Sequence, residues 1–241
     1  MTAAQDRSAK ARRAYRQYCG VARALDVVGE RWTLLLVREL LTGPKRYTDL
    51  LEALRGIGTN LLADRLKDLE TAGVIKRATL PPPAGSTVYG LTERGQALEP
   101  VVLALAAWGS VLLGVPEDGE YFRPGWAVLA MKTVFQPQLA RGLRETYEFR
   151  VGDEVFHFQV DDGAAEARQG SGWRPAFVLR TNPDPFLALA VGRLTASEAL
   201  AQGLAQFEGD LAAFERCGRI FPPVTMGRGS GSGGDGEFDR E

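Results

Sequence analysis

One histidine and two cysteines are all that 241 residues offer of the side chains most used in nucleophilic and metal chemistry. A Ser-His-Asp or Cys-His site would have to use His157. That residue alternates with Phe156 and Phe158 in a strand-like run, so it faces away from both. There is no Gly-x-Ser-x-Gly elbow and no phosphate-cradling glycine loop. A structural zinc site would need most of His157, Cys19 and Cys217, which are widely separated and lack paired ligand spacing. Carboxylates are plentiful, but none forms a pair whose geometry can be argued. No enzyme, cofactor or metal is therefore expected. Two distant cysteines make no disulfide framework, which suits a reducing, cytoplasmic setting.

Long apolar runs are also missing. The longest apolar-rich stretch, Val101 to Val115, spans 15 residues and contains Gly109 and Ser110, short of a membrane span. The first residues carry Arg and Lys without an apolar segment, so neither a signal peptide nor a membrane partner is expected. A hydrophobic content of 45% with 24% charged residues fits a globular chain with a core. The net charge of −1 hides an asymmetry: residues 1–113 hold 16 Lys/Arg against 11 Asp/Glu, net +5, and the remainder is net −6.

The positive part contains the stretch around which the chain is organised, Lys45 to Arg77. Tyr47, Leu50, Leu51 and Leu54 recur at i, i+3, i+4 and i+7, an apolar stripe at helical period. Arg55-Gly56-Ile57-Gly58 breaks that helix. Thr59 can cap a second one, with Leu61, Leu62, Leu66 and Leu69 on its buried side and Gly73 as its stop. Thr59, Asn60, Ala63, Asp64 and Lys67 fall off the stripe. The spacing predicts a helix-turn-helix, whose second helix enters the DNA major groove. Ile75 to Leu80 and Thr87 to Leu91, joined by Pro81 to Ser86, add a β-hairpin that reads as a wing.

Residues 19–95 resemble the HxlR family of bacterial winged-helix regulators. The resemblance is carried by CGVARALDVVGERWTLLLVRELLTGPKRYTDL, LLADRLKDLETAGVIKR and VYGLTERG. It implies homodimeric binding to double-stranded operator DNA and control of transcription. The Gly58-Thr59-Asn60 start of the second helix departs from relatives with a Ser and a basic residue thereabouts. DNA contacts are expected from Thr59, Asn60, Arg65 and Lys67, from Lys45 and Arg46 at the entrance to the preceding helix, and from the wing tip, Gly85, Ser86 and Thr87. For Arg65 the alternative is an intrahelical pair with Glu70 or Asp68. Cys19 occupies a place where some HxlR-family proteins carry a redox-sensing thiol, with Arg16 and Arg23 near it in sequence; the plain alternative is a small, partly buried residue. Cys217 reads as core.

Residues 1–18 are basic, either a solvated terminus or an arm for phosphate or partner. Ala22 to Leu41 is expected as one helix, with Trp32 as a core anchor. Gln96 to Leu113 is expected as another, its apolar face too wide for one small domain. In the family this helix helps to form the dimer. The domain expectation is 1–113 for DNA binding and dimerisation, 114–124 as linker, 125–225 as a second domain and 226–241 as a disordered tail.

In the second domain, Trp126 to Leu143 reads as a helix that Pro137 interrupts or ends. Alternating strands follow over Tyr147 to Val151, Phe156 to Val160 and Ala165 to Arg168, then Ala176 to Thr181. Asp184-Pro185 opens a helix, Thr195 to Glu198 is a capping box, Leu204 to Phe207 can add a strand, and Asp210 begins a last helix. The fold class is α+β throughout. FHFQVDDGAAEARQG and FVLRTNPDPFLALAVGRLTASEALAQGLAQFEGDLAAFERCGRIF resemble the sterol carrier protein type-2 fold. That resemblance implies a sheet covered by helices over an apolar cavity. Its expected lining is Trp126, Met131, Phe135, Phe156, Phe158, Phe177, Leu179, Phe186, Leu189 and Phe207, with Arg180 and His157 as polar groups. The expected function is a ligand-responsive regulator that senses a small apolar molecule. A lipid or sterol carrier using the winged helix only to dimerise, or a protein-interaction winged helix without DNA affinity, are the other readings.

Overall fold

Residues 14–80, 85–114 and 117–224 are described by the computed structural model, in which the chain divides into two units, residues 1–102 and 103–241. The basic residues before 14, the first part of the wing turn and the tail from 225 lie outside the described residues.

The helix expected over Ala22 to Leu41 is two helices, α1 (Gly20–Val28) and α2 (Thr33–Leu41). The break is local in origin. At Gly29 an added Cβ would lie 2.5 Å from the Leu25 carbonyl oxygen. Trp32 then takes a left-handed backbone, φ 76°, at a cost of about 1–3 kcal/mol. Packing of its indole against the leucine core offsets that strain. A two-residue strand, β1 (Lys45–Arg46), follows, then α3 (Tyr47–Ala53) and α4 (Thr59–Thr71). The N-cap of α4 is Gly58, and Thr59 is its first residue rather than its cap. Gly73, φ 70°, closes α4 with a Schellman motif: the Val74 N–H donates to Leu69 O at 2.9 Å and the Gly73 N–H to Glu70 O at 3.0 Å.

The hairpin is β2 (Ile75–Thr79) and β3 (Thr87–Leu91), and β1 pairs on the free edge of β3, giving the order β1-β3-β2. Lys45 and Arg46 thus enter a sheet that the sequence reading did not include. The helix expected over Gln96 to Leu113 starts earlier and is interrupted: α5 (Glu93–Gln96) and α6 (Glu99–Ser110). Pro100 has no N–H, so one ladder cannot run through it. Leu36, Val37, Leu40, Leu50, Leu54, Leu62, Leu66, Leu69, Ile75 and Val102 form one core.

The second unit opens with α7 (Pro124–Val134), which stops well short of Leu143 because the residues before Pro137 are pushed out of helical geometry. A 3₁₀ turn at Pro137–Leu139 leads into β4 (Arg144–Val151), β5 (Glu154–Asp161) and β6 (Ala164–Gln169). Then come β7 (Phe177–Thr181), α8 (Pro183–Ala190), α9 (Ala196–Ala201), β8 (Ala205–Gly209) and α10 (Leu211–Ile220). Asn182 caps α8 and Pro183 opens it, two residues before the expected Asp184-Pro185. The Thr195–Glu198 capping box forms as expected, and the Asp210 carboxylate accepts the Ala212 N–H at 2.8 Å.

Sheet order is β6-β5-β4-β7-β8, with β4 and β7 parallel and the other pairs antiparallel. Register places Tyr147, Phe149, Phe156, Phe158, Phe177 and Leu179 on one face. That face packs with Ala127 and Val128 of α7, Phe186 of α8, Ala199 of α9 and Ala213, Cys217 and Ile220 of α10. The opposite face carries Glu148, Arg150, His157, Val178 and Arg180.

Candidate nucleic-acid interface and apolar site

The two helices of the motif are joined at their N-termini. The Arg46 N–H donates to the Asp49 carboxylate at 2.9 Å, starting α3, and the Tyr47 hydroxyl donates to the Thr59 carbonyl at 2.7 Å, holding the first turn of α4. Gly56, φ 92°, makes the turn between them, and Ile57 is buried under it. Leu62, Leu66 and Leu69 commit one face of α4 to the core, and the helical period then dictates which side chains remain outside. Thr59, Asn60, Ala63, Asp64, Lys67 and Thr71 are exposed. Asn60, Asp64, Lys67 and Thr71 line up on one face at spacings of four, three and four.

Arg65 is not on that face. Its side chain is only 16% exposed and ion-paired at 2.8 Å to Glu30, in the turn between α1 and α2. Its Nε donates to the Arg31 carbonyl at 3.3 Å, and Asp68 lies 3.5 Å away along the helix. Arg65 ties the second helix of the motif to the turn that Trp32 anchors. Glu30 is the participant that sequence reasoning missed. Glu30 lies 35 residues from Arg65, so no local pattern in the sequence pointed to the pair.

The wing is coupled to α4 as well. Arg77 on β2 pairs with Glu70 at 3.1 Å and lies 5.5 Å from the Tyr89 ring of β3. Lys45 is half-buried beside Tyr89 in register, whereas Arg46, opposite Val88, is exposed. At the wing tip Gly85 has φ 52° and Thr87 is exposed. The Ser86 carbonyl accepts the Leu80 N–H at 3.0 Å, and its Oγ is buried without a partner among the described residues.

Of the ten side chains expected to surround an apolar ligand, nine belong to one cluster. Phe156, Phe158, Phe177, Leu179 and Phe186 are buried in it, and Met131, Phe135, Leu189 and Phe207 pack against it. Trp126 instead meets Tyr121, ring centroids 5.2 Å apart. The rings touch one another: Phe149–Phe156 at 5.4 Å, Phe156–Phe186 at 5.9 Å, Phe158–Phe221 at 4.8 Å and Phe177–Phe214 at 5.1 Å. His157 and Arg180 do not point into this cluster. Both lie on the other face of the sheet, since side chains alternate along a strand, and the expectation that they serve the cavity is corrected. His157 Nδ1 is 2.8 Å from the Gly170 carbonyl, and Arg180 pairs with Glu208 at 3.2 Å. A polar group does reach the apolar side. The Tyr147 hydroxyl donates to Glu145 at 2.6 Å, and Arg216 of α10 also binds Glu145. Burial pushes the Tyr147 phenol up, and the Glu145 carboxylate adds to it.

Cys19 is exposed at the N-cap of α1. Hydrogen bonds from the backbone at Ala22, then Val21, hold its thiol below the ordinary value. Cys217 is buried, and burial, followed by the Glu145 charge, pushes its thiol up. Among the described residues there is no group of three or more His, Cys, Asp or Glu able to hold a metal ion. No described helix is long and apolar enough to cross a membrane.

Two helices with a tight turn, a Schellman stop and a β-hairpin wing define a winged helix-turn-helix, here in one chain with a helix-covered antiparallel-rich sheet. Residues 27–115 match the model for the HxlR-like helix-turn-helix and residues 131–222 that for the SCP-2 sterol transfer family. YvaP of Bacillus subtilis (strain 168), an uncharacterized HTH-type transcriptional regulator, is 35% identical over 88 residues, 36% of this chain and 82% of YvaP. YodB of the same organism, an HTH-type transcriptional regulator, is 38% identical over 85 residues, 35% of this chain and 76% of YodB. The solved reduced form of YodB aligns at 32% identity over 42% of this chain and 100% of that one, with a TM-score of 0.36. The chain belongs to the HxlR family of helix-turn-helix transcriptional regulators and carries a C-terminal SCP2 domain.

Proposed function

We propose that the protein is a homodimeric, operator-binding regulator of transcription whose C-terminal domain responds to a small apolar molecule. The observation that carries the DNA reading is the exposed face of α4, Asn60, Ala63, Asp64 and Lys67, opposite a face on which Leu62, Leu66 and Leu69 are buried. Asn60 is suited to bidentate reading of adenine, and Lys67, Arg46 and the wing residues Gly85 and Thr87 to backbone contact. Thr59 and Lys45 stand at the edges of this surface. The excess of +5 over residues 1–113 has the sign that phosphate requires.

Support for the dimer comes from α6 and the turn after it. Val101, Leu105, Trp108 and Leu112 recur at helical spacing and are 47, 46, 68 and 68% exposed. An apolar stripe of this size matches a second copy of itself about a two-fold axis. An apolar guest in the C-terminal domain would take the place of ring contacts on the inner face of the sheet, entering where Met131, Phe135, Leu189 and Phe207 are only partly buried. Coupling needs different affinity for that guest in the DNA-competent and incompetent states. Two free cysteines, one of them exposed, suit the cytoplasm, and Cys19 is the thiol that an oxidant would reach.

The match of residues 131–222 to a sterol transfer family favours a second reading, a carrier that uses the winged helix only to dimerise. Fluorescence anisotropy on the DNA upstream of the protein's own gene separates the two. A regulator binds it with site preference over scrambled DNA, and Asn60→Ala relaxes that preference by about 1–3 kcal/mol. Equal binding to both DNAs by the wild type and the variant would refute the proposal and leave the carrier.

A further inference from the structure

The outer face of the C-terminal sheet, opposite the apolar core, holds a recess of its own. The segment between β6 and β7 crosses β4 and β5 there and is fastened at both ends. The Glu148 carboxylate, itself buried, accepts the Gly172 N–H at 2.9 Å, and His157 holds the Gly170 carbonyl at 2.8 Å. At the far end the Ala176 N–H donates to the Thr146 carbonyl at 2.8 Å. Gly172 is pressed so close that an added Cβ would lie 2.4 Å from Thr146 Cγ2. Between these anchors stand Trp173, 83% exposed, and Arg174, whose guanidinium lies 5.5 Å from the Trp173 ring. Beside them opens a pocket of about 310 Å³ lined by Thr146, Gln159, Arg144, Asp161, Trp173 and Arg174 among others.

The lining specifies a ligand by its charge balance. Arg144 is neutralised by Asp161 at 3.0 Å, and Glu145 is taken by Arg216 and Tyr147. Arg174 has no carboxylate partner among the described residues, so one positive charge is left over. Thr146 and Gln159, directly paired across β4 and β5, form the floor and spend no side-chain hydrogen bond on the described residues. The indole, 83% exposed, offers a flat apolar wall. The volume lies at the small end of ligand pockets, roughly the 300 Å³ limit.

We infer that this recess is a second ligand site, separate from the apolar core, and that it takes a small planar aromatic carboxylate: the ring stacks on Trp173, the carboxylate pairs with Arg174, and the floor hydrogen-bonds the edge. The site needs neither DNA binding nor an apolar guest.

The test is isothermal titration of the full-length protein with naphthalene-2-carboxylate and with its uncharged amide. One saturable site per chain is expected for the acid. Trp173→Ala and Arg174→Gln should each weaken it about fivefold or more, as loss of one stacking or ionic contact of about 1 kcal/mol would. The amide should bind the wild type about fivefold more weakly than the acid does, and should bind Arg174→Gln no more weakly than the wild type. Both side chains are exposed, so both variants should fold, and their circular dichroism should match the wild type. No saturable binding, binding unchanged in both variants, or an amide as tight as the acid would each overturn the inference.

Discussion

Arg65 separates two kinds of cation on the recognition helix. Its side chain is 16% exposed, and it reaches Glu30 at 2.8 Å and the Arg31 carbonyl at 3.3 Å. Replacing it with alanine removes a charge-assisted bond to a carboxylate that is itself 57% exposed, contributing about 0.5–1 kcal/mol after solvent screening. It also removes one neutral acceptor bond, about 0.5 kcal/mol, and the packing of the stem, offset slightly by the helix preference of alanine. The sum is a loss of about 1–2 kcal/mol. Urea unfolding of Arg65→Ala, Glu30→Gln and the double variant should show a coupling of about 0.5–1 kcal/mol. Lys67 has the opposite profile, exposed on the helix face away from the core. Lys67→Ala should leave stability nearly unchanged and lower the slope of log affinity against log salt by about 0.9. Arg65→Ala should leave that slope where it was. A slope reduced by a full unit in Arg65→Ala, with an unchanged unfolding midpoint, would refute the reasoning and return Arg65 to the phosphate contacts.

Three further outcomes are expected. Leu105→Glu with Trp108→Glu should turn a dimer into a monomer in sedimentation equilibrium and weaken operator binding, whereas a wild type already monomeric would remove α6 from the interface. Phe158→Ala empties a side chain with no exposure, so it should cost about 3–5 kcal/mol in chemical unfolding; a cost below about 1 kcal/mol would mean that the ring does not fill space. Cys19 should be alkylated by iodoacetamide in the native protein while Cys217 is spared. The Cys19 thiol lies below its ordinary value and so is more thiolate at neutral pH, and the rate should fall only as pH drops through that lowered value. Equal labelling of both cysteines without denaturant would contradict this assignment.

Much of the architecture was legible because its determinants are local. Leucines at helical spacing place α3 and α4, Gly73 ends the second of them, and the capping box at Thr195 forms as its residues predict. Periodicity alone also separates Asn60 and Lys67 from Leu62 and Leu66. Parity in the strands holds a lesson of the other kind. His157 beside two phenylalanines and Arg180 beside Leu179 already face away from the apolar side, so strand parity in the sequence argued against the polar role in the cavity expected of both. The single long helix over Ala22 to Leu41 failed because apolar periodicity runs through the break, while the close approach of Gly29 to the Leu25 carbonyl, though local, lies in backbone angles that periodicity does not report.

The sequence by itself determined the buried faces of α3 and α4 and most of the order of elements, because these depend on residues a turn or a few positions apart; the two families were legible by resemblance over longer stretches. Only the tertiary structure decided the rest. Glu30 is 35 residues from Arg65, and no spacing rule connects them until the α1–α2 turn is laid against α4. Lys45 and Arg46 become a strand only when β3 offers its edge. Whether nine apolar side chains enclose a space or meet ring against ring is a matter of ångströms between elements, set by packing and not by hydrophobicity.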